Sequence, residues 1–189
     1  MNVFLIVVGM FTLMIILMYN SLISKKNQVD NIFAGVDAVL KKRYDLIPNL
    51  VASVERYMEH EKSTLEKITE YRAQAMKSGI SDDAKIALDA KLSAALGSIS
   101  VAMEAYPDLK ANENVMHLMR SLNEVEEQIS AARRAYNQSV TDLNNAIEMF
   151  PTNFIAGWMS LQKRSVFEIT VAERQNVDVH NLFNRTTKE

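Results

Sequence analysis

Acidic residues and histidines occur at two places where they could bind a metal ion. The "EHE" of Glu59–Glu61 leads into "HEKST", which begins like the zinc-protease motif HExxH, but Thr64 replaces the second histidine ligand. Glu113 and His117 are four residues apart and share a helical face. A di-iron carboxylate bundle needs Glu-x-x-His on two helices, and the sequence contains none. The pattern therefore favours solvated helical faces, and we predict no metal or other cofactor.

A second polar motif is the pair Arg133 and Arg134 beside Tyr136. Guanidinium groups at this spacing could recognise an anion or a carboxylate of a partner, and a solvated basic patch is the alternative. The sequence has neither a glycine-rich phosphate loop nor a serine at a strand–turn–helix elbow. We therefore predict that the protein is not an enzyme.

The composition narrows the fold and excludes some classes of partner. The 21 basic and 23 acidic residues give a net charge of −2, which provides no basic surface for nucleic acid. The chain has no cysteine, so neither a disulfide nor a thiolate metal site can form. With only five glycines and three prolines, it has too few turn residues for an all-β fold. An all-α fold is predicted.

The first 24 residues read as a transmembrane anchor. Residues 3–23 carry no charge and would form a helix of about 31 Å, which matches a hydrocarbon core of about 30 Å. A cleaved signal peptide would need a basic start and a small-residue cleavage site, which the sequence lacks. Lys25 and Lys26 follow the span, so the positive-inside rule places the N-terminus outside and the rest of the chain in the cytoplasm.

Residues 25–158 are predicted to form an antiparallel bundle of long helices. Apolar residues recur there at spacings of three and four, which predicts helices over about 27–78, 82–105 and 112–150. Pro48 falls inside the first helix, and because the apolar phase continues past it, we expect a kink rather than a break. Gly79 would end this helix and Ser81 would cap the next. Residues 159–189 are expected to be an extended or disordered tail, since the alternating Phe167, Ile169 and Val171 lack a partner strand.

Several sequence blocks resemble the LemA family in content and order. They are "YNSL" at 19–22, "KKRYDLIPNLV" at 41–51, "HEKSTLE" at 60–66, "AYPDLKANEN" at 105–114, "AARRAYNQSVTDLN" at 131–144 and "FPTNFIAG" at 150–157. Within these blocks we select as candidate interaction or structural residues Arg43, Tyr44, Asp45, Pro48, Asn49, Tyr106, Pro107, Asp108, Arg133, Arg134, Tyr136, Asn137 and Pro151.

The resemblance implies a bacterial protein with one N-terminal membrane helix and an antiparallel helical domain in the cytoplasm. No catalytic residues are known for the family, its relatives include a protein of magnetosome membranes, and its genes often neighbour those of TPM-domain membrane proteins. We therefore predict a scaffold or interaction module at the inner membrane, whose partner is a membrane protein, such as a TPM-domain protein, or a second copy of the chain. The alternatives are a regulator of membrane stress or proteolysis and a metal-dependent bundle enzyme. The only pool of ligands for such an enzyme is Glu59, His60, Glu61, Glu113 and His117.

Overall fold

The computed structural model describes residues 1–167, and the secondary structure of this part is entirely helical. The helices are α1 (Asn2–Val54), α2 (Lys62–Ala75), α3 (Asp82–Ala102), α4 (Pro107–Ala111), α5 (Glu113–Glu148) and α6 (Thr152–Trp158). Short 3₁₀ turns occupy Glu59–Glu61 and Met103–Ala105. The predicted all-α class, with an apolar N-terminal helix that continues into a helical domain, is confirmed.

Helix α1 is about 80 Å long and has two parts with different surroundings. Its first part is long and apolar enough to span a membrane, and none of that apolar window is buried against the rest of the protein. From Leu22 onward one face of the helix is buried, at the helical spacing of Val29, Phe33, Val36 and Leu40. One continuous helix therefore joins the apolar span to the bundle.

Helix α3 is also long and apolar enough to cross a membrane, but it is part of the bundle core. Its Leu88, Leu92 and Ile99 are buried among the other helices. A third of its apolar window is buried in the protein, whereas no residue of the α1 window is buried. The N-terminal part of α1 is therefore the stronger candidate for a membrane span.

Four helices of alternating direction form the bundle. Helix α1 packs along α5, and α2 packs along α3. Each contributes an apolar stripe to one core, and burying a large aliphatic side chain there contributes about 1.5–3 kcal/mol. Residues of this core that are essentially inaccessible to solvent include Val36, Leu40, Ile47, Leu50, Ile68, Leu92, Ile99, Ile129 and Val140.

The prediction of one helix over 27–78 is wrong, because the chain reverses direction between Val54 and Lys62. Met58 lies in this turn and is completely buried, together with Val54 and Leu65 on either side of it. No glycine or proline marks the reversal, so burial of these side chains outweighs the local preference for helix. The bundle consequently has four long helices where the apolar pattern predicted three, while α1 runs through Pro48 without interruption.

The other helix ends are set by local caps. Helix α2 ends at Ala75, short of the predicted stop at Gly79, which has a positive φ of 79° in the turn that follows. The Ser81 hydroxyl accepts a hydrogen bond of 3.2 Å from the Ala84 N–H, as predicted for a cap. Helix α5 begins after Asn112, whose side-chain oxygen accepts hydrogen bonds from two backbone amides, and it ends at Glu148, slightly before the predicted 150.

The segment 161–167 has neither helix nor strand and lies against α5, through Asn137 and Asn144. This part of the predicted tail is therefore attached to the bundle. The remainder, including Ile169 and Val171, lies outside the described residues.

Candidate functional site

An open groove lies at the end of the bundle farthest from the apolar span. It is formed by the end of α1, the turn after it and one face of α2, and it has a volume of about 770 Å³. Val51 and Ala73 contribute accessible apolar surface to it, and the buried Met58 and Leu65 lie beneath them. This volume is within the range of pockets that bind ligands or peptide side chains. We call it the distal groove.

The rim of the distal groove is negatively charged. Exposed carboxylates come from Glu55, Glu59, Glu66 and Glu70, and the one basic lining residue is Lys62. Four negative charges against one positive charge give a net charge of −3. Lys62, Glu66 and Glu70 are spaced four apart on α2 and therefore share a face. The groove thus combines an apolar floor with an acidic rim.

The residues considered as metal ligands are not brought together. Glu59–Glu61 lie in the 3₁₀ turn at the distal groove, whereas Glu113 and His117 are exposed at the start of α5. Within residues 1–167 no three His, Asp or Glu side chains are arranged to hold a metal ion. The geometry of the described residues therefore offers no support for the metal-enzyme alternative.

A buried network of charged side chains connects α1, α3 and α5. The Nη2 atom of Arg43 is 3.0 Å from a carboxylate oxygen of Asp89 and 3.0 Å from one of Glu126. Arg133 contacts the second carboxylate oxygen of Asp89. Arg43 also donates a hydrogen bond of 2.6 Å from Nη1 to the Ser93 hydroxyl. We call these five residues the charge network, in which two arginines balance two acids.

The charge network is deeply buried at its centre and open at one edge. Arg43 is 1% exposed and Asp89 is 0% exposed, whereas the side chain of Glu126 is 41% exposed. Removing one member of a buried ion pair leaves the other charge uncompensated in a poorly solvated site, at a cost of several kcal/mol. The arrangement therefore requires one register of α1, α3 and α5, because sliding any helix would separate the charges.

Two cavities of about 290 Å³ each adjoin the charge network. One is lined by Asp89, Arg133 and Phe167 among others, and the second by Arg43 and Glu126 among others. The Arg133 guanidinium also lies over the Phe167 ring, 5.5 Å from its centroid, in a cation–π contact. The segment 161–167 thus covers one side of the network.

Two tyrosines near the charge network are held in the neutral form. Burial raises the pKa of Tyr44 above its ordinary value, and the negative charge of Asp89 raises it further. Burial also raises the pKa of Tyr136 to about 12, with a contribution from Asp82. The Tyr136 ring packs between Phe33 and Phe167, with centroid separations of 5.3 and 5.4 Å. Both phenols are therefore protonated core side chains at neutral pH.

Pro48 leaves the backbone carbonyl of Tyr44 free to connect α1 to α2. Because proline has no N–H, the carbonyl of Tyr44 cannot accept the usual hydrogen bond from residue 48. Arg72, which is half-buried on α2, instead donates a hydrogen bond of 2.6 Å from Nε to that oxygen. The proline ring itself is exposed. The oxygen that Pro48 leaves free is therefore a contact between two helices.

Two asparagines of α5 hold the segment 161–167. Asn137 donates to the carbonyl of Phe167 and accepts from its N–H, at 2.9 and 2.8 Å. Asn144 makes the same pair of bonds with Arg164, at 2.9 and 3.0 Å. The two asparagines are seven residues apart on a helix, a distance of about 10 Å. Arg164 and Phe167 are three residues apart in extended chain, which is also about 10 Å, so both asparagines can bind the segment at once. The side chain of Arg164 adds ion pairs with Asp30 and Asp82.

The candidate residues chosen from sequence separate into an interior group and a surface group. Arg43, Tyr44, Arg133, Tyr136 and Asn137 are buried or half-buried around the charge network. Tyr106, Pro107 and Asp108 lie at the turn from α3 into α4, and Pro151 is half-buried between α5 and α6. Pro107 and Asp108 are exposed, as are Asp45, Pro48, Asn49 and Arg134. The structure brings the first group together and leaves the others apart.

Arg72, Asp89 and Glu126 were not predicted as partners of these residues. A signal for Asp89 was present, because it adjoins Leu88 on the inner stripe of α3, where a charged residue indicates a buried partner. No comparable signal exists for Arg72, since its acceptor is a backbone carbonyl.

The chain is similar to several known proteins. The profile of the LemA family matches residues 32–180. Protein LemA of Metamycoplasma hominis is 28% identical over 181 residues, which cover 96% of this chain and 83% of the relative. Magnetosome protein MamQ 2 of Paramagnetospirillum magneticum is 20% identical over 183 residues, covering 84% of this chain and 67% of the relative.

A shorter match is with magnetosome protein MamQ of Magnetospirillum gryphiswaldense, which is 32% identical over 62 residues. It covers 33% of this chain and 23% of the relative. LemA proteins are not known enzymes, so the match brings no catalytic activity with it. The family profile covers residues 32–180, which is well over half of the chain, and the chain therefore belongs to the LemA family.

Proposed function

We propose that the protein is a non-enzymatic, single-pass membrane protein whose helical bundle binds a membrane-associated partner as a scaffold. The observation that carries this proposal is the distal groove, an apolar surface with an acidic rim at one end of the bundle. Helix α1 supports it, because a single helix connects the apolar span to this groove. From Ile23 to Val54 the helix rises about 45 Å, so the groove is held at a fixed distance from the membrane.

The occupant that fits the distal groove is a basic amphipathic helix of the partner. Its apolar face would contact Val51 and Ala73 over the buried Met58 and Leu65, as in other helix-in-groove complexes. Its lysines or arginines would face the carboxylates of the rim, which attract and orient a partner of opposite charge. A second copy of this chain fits less well, because its exposed groove surface has the same negative charge.

We place the N-terminus outside and the bundle in the cytoplasm, at the bacterial inner membrane. Lys25 and Lys26 directly after the span favour this orientation. The names of two relatives as magnetosome proteins support a partner at a membrane, and a TPM-domain protein is one candidate. Alkaline phosphatase fused after Glu189 should be inactive in cells, since it folds only outside the cytoplasm. An active fusion would reverse the assignment.

A peptide titration tests the groove. The full-length protein is reconstituted in lipid nanodiscs and titrated into a fluorescent, lysine-rich amphipathic peptide, with fluorescence anisotropy as the readout. A second peptide keeps the same apolar positions but carries glutamates. We expect saturable binding of the first peptide, weakened by salt, and no binding of the second. Equal binding of both peptides, or binding of neither, would refute the proposal. A dimer in which a second copy of the chain blocks the groove, detected by mass photometry, would also refute it.

A further inference from the structure

Helix α6 and Phe150, two residues before it, expose a stripe of large aromatic side chains. Phe150, Phe154 and Trp158 are 77%, 70% and 79% exposed. They are four residues apart, and the rings of Phe150 and Phe154 are in edge-to-face contact with centroids 6.0 Å apart. We call these three residues the aromatic stripe. Exposed apolar surface of this kind commonly marks a site of interaction with a protein or a membrane.

The opposite face of α6 fixes its position along α1. Ile155 and Ala156 are buried there and form a small core with Leu22, against which Ile15 and Met18 also pack. Ile15 to Leu22 is the last part of the apolar span, and this part rises about 10 Å along the helix. Where α1 crosses a bilayer, α6 therefore lies at the boundary between acyl chains and headgroups.

The charge pattern around α6 agrees with this depth. The helix, "TNFIAGW", contains no charged residue. Lys25 and Lys26 follow Leu22 by less than two turns of α1, where basic side chains meet lipid headgroups. Tryptophan is enriched at this level of membrane proteins, since its ring is apolar while its N–H can remain hydrated. Burial in lipid at this depth removes aromatic surface from water without placing a charge in hydrocarbon.

We infer that the aromatic stripe is a second membrane contact, inserted into the headgroup–acyl boundary of the same bilayer that α1 crosses. It anchors the end of α5, which precedes α6, as well as the start of the bundle at α1. Two anchored helices restrict the tilt of the bundle relative to the membrane. This inference depends on α1 crossing a bilayer and is independent of the distal groove.

Trp158 is the only tryptophan in the chain, so its fluorescence reports directly on the aromatic stripe. The full-length protein is reconstituted in vesicles containing lipids brominated either near the glycerol or near the methyl end of the acyl chain. We expect a short-wavelength emission maximum, stronger quenching by the shallow bromines than by the deep ones, and protection from aqueous iodide. Water-like emission that iodide quenches and bromolipids do not would overturn the inference.

Two variants complete the test. The variant Phe150→Ser/Phe154→Ser should reduce quenching by the shallow bromolipid by at least half, because the remaining stripe inserts less well. In a control protein carrying Trp158→Phe and Tyr57→Trp, the single tryptophan lies in the exposed turn after α1, far from the span, and should not be quenched by lipid. Self-association through the stripe would instead give short-wavelength emission without lipid quenching, dependent on protein density, and would contradict a lipid contact.

Discussion

The Nε atom of Arg72 donates a hydrogen bond of 2.6 Å to the carbonyl oxygen of Tyr44, the oxygen that Pro48 leaves without a helical donor. An interior proline costs an isolated helix about 3 kcal/mol. Here part of that cost is offset, since the freed carbonyl becomes a point of attachment for α2. The proline thus has a structural role in joining two helices of the bundle.

A double-mutant cycle tests this role. Arg72→Met keeps an apolar stem but removes the donor, and should lower the free energy of unfolding by about 1.5–3 kcal/mol. In the Pro48→Ala background, the new N–H of residue 48 can bond to the Tyr44 carbonyl, so Arg72→Met should cost about 1 kcal/mol less. Urea unfolding in detergent, followed by circular dichroism, measures both costs. Equal costs in the two backgrounds would show that Arg72 does not compensate for the proline.

The charge network should be sensitive to the loss of its central acid. Asp89→Asn leaves Arg43 and Arg133 without their shared counter-charge in the interior, and we expect a loss of about 3–5 kcal/mol in the free energy of unfolding. Asp83→Asn is the matched control on the exposed face of the same helix, with an expected change within about 0.5 kcal/mol. Similar effects for the two variants in a thermal melt would mean that the buried charges do not fix the helix register.

The attachment of residues 161–167 should depend on the two asparagines. Asn137→Ala/Asn144→Ala removes four hydrogen bonds to the backbone of Arg164 and Phe167, each worth about 1 kcal/mol. Hydrogen–deuterium exchange of the peptide containing these residues should become faster, while exchange in α1 should not change. Asn145→Ala, at an exposed neighbouring position, should leave exchange as in the wild type. Unchanged exchange in the double variant would contradict the assigned role of the asparagines.

Ionisation of Tyr44 should destabilise the protein at alkaline pH. Its pKa is raised in the folded state, so its stabilising contribution is complete below the unfolded pKa of about 10 and is lost as the pH rises toward the folded value. Tyr136 behaves in the same way, with a folded pKa of about 12. Each tyrosine contributes a slope of up to about 1.4 kcal/mol per pH unit in this interval.

Tyr44→Phe should therefore remove about half of the loss in the free energy of unfolding that these two tyrosines cause at alkaline pH. At neutral pH the variant should differ from the wild type by less than about 1 kcal/mol, since the buried hydroxyl makes no hydrogen bond within residues 1–167. Urea titrations at several pH values between neutral and strongly alkaline give the slope of the free energy of unfolding against pH for the variant and for the wild type. Parallel curves for the variant and the wild type would exclude Tyr44 as a source of the loss.

Features of the fold that depend on local sequence pattern were predicted correctly. The uncharged run before Lys25 predicted an apolar helix long enough to span a membrane, and helical spacing predicted the buried faces of α1, α3 and α5. The hydroxyl of Ser81 was identified as a helix cap from its position before two acids. Each of these signals is carried by neighbouring residues of one continuous segment, which is why they can be recognised without a structure.

Features that depend on contacts between distant segments were missed. The reversal after Val54 has no turn residue, and only the burial of Met58 against the other helices accounts for it. Arg43 is a candidate interaction or structural residue in the sequence, but the partners that it meets in the interior, Asp89 and Glu126, lie 46 and 83 positions away. The distal groove is formed where the chain reverses after α1, so it could not be predicted from a continuous helix over 27–78.

The most direct test of the proposed scaffold function is a charge swap on the rim of the distal groove. Glu66→Lys/Glu70→Lys reverses two exposed carboxylates on α2, and Glu124→Lys/Glu127→Lys makes the same change of charge on the exposed face of α5. In nanodisc titrations, the α2 variant should bind the lysine-rich peptide at least about ten-fold more weakly, which corresponds to 1.4 kcal/mol, and should gain affinity for the glutamate-rich peptide. The α5 variant should bind as the wild type does. Unchanged affinity of the α2 variant for the lysine-rich peptide would contradict the distal groove as the binding site.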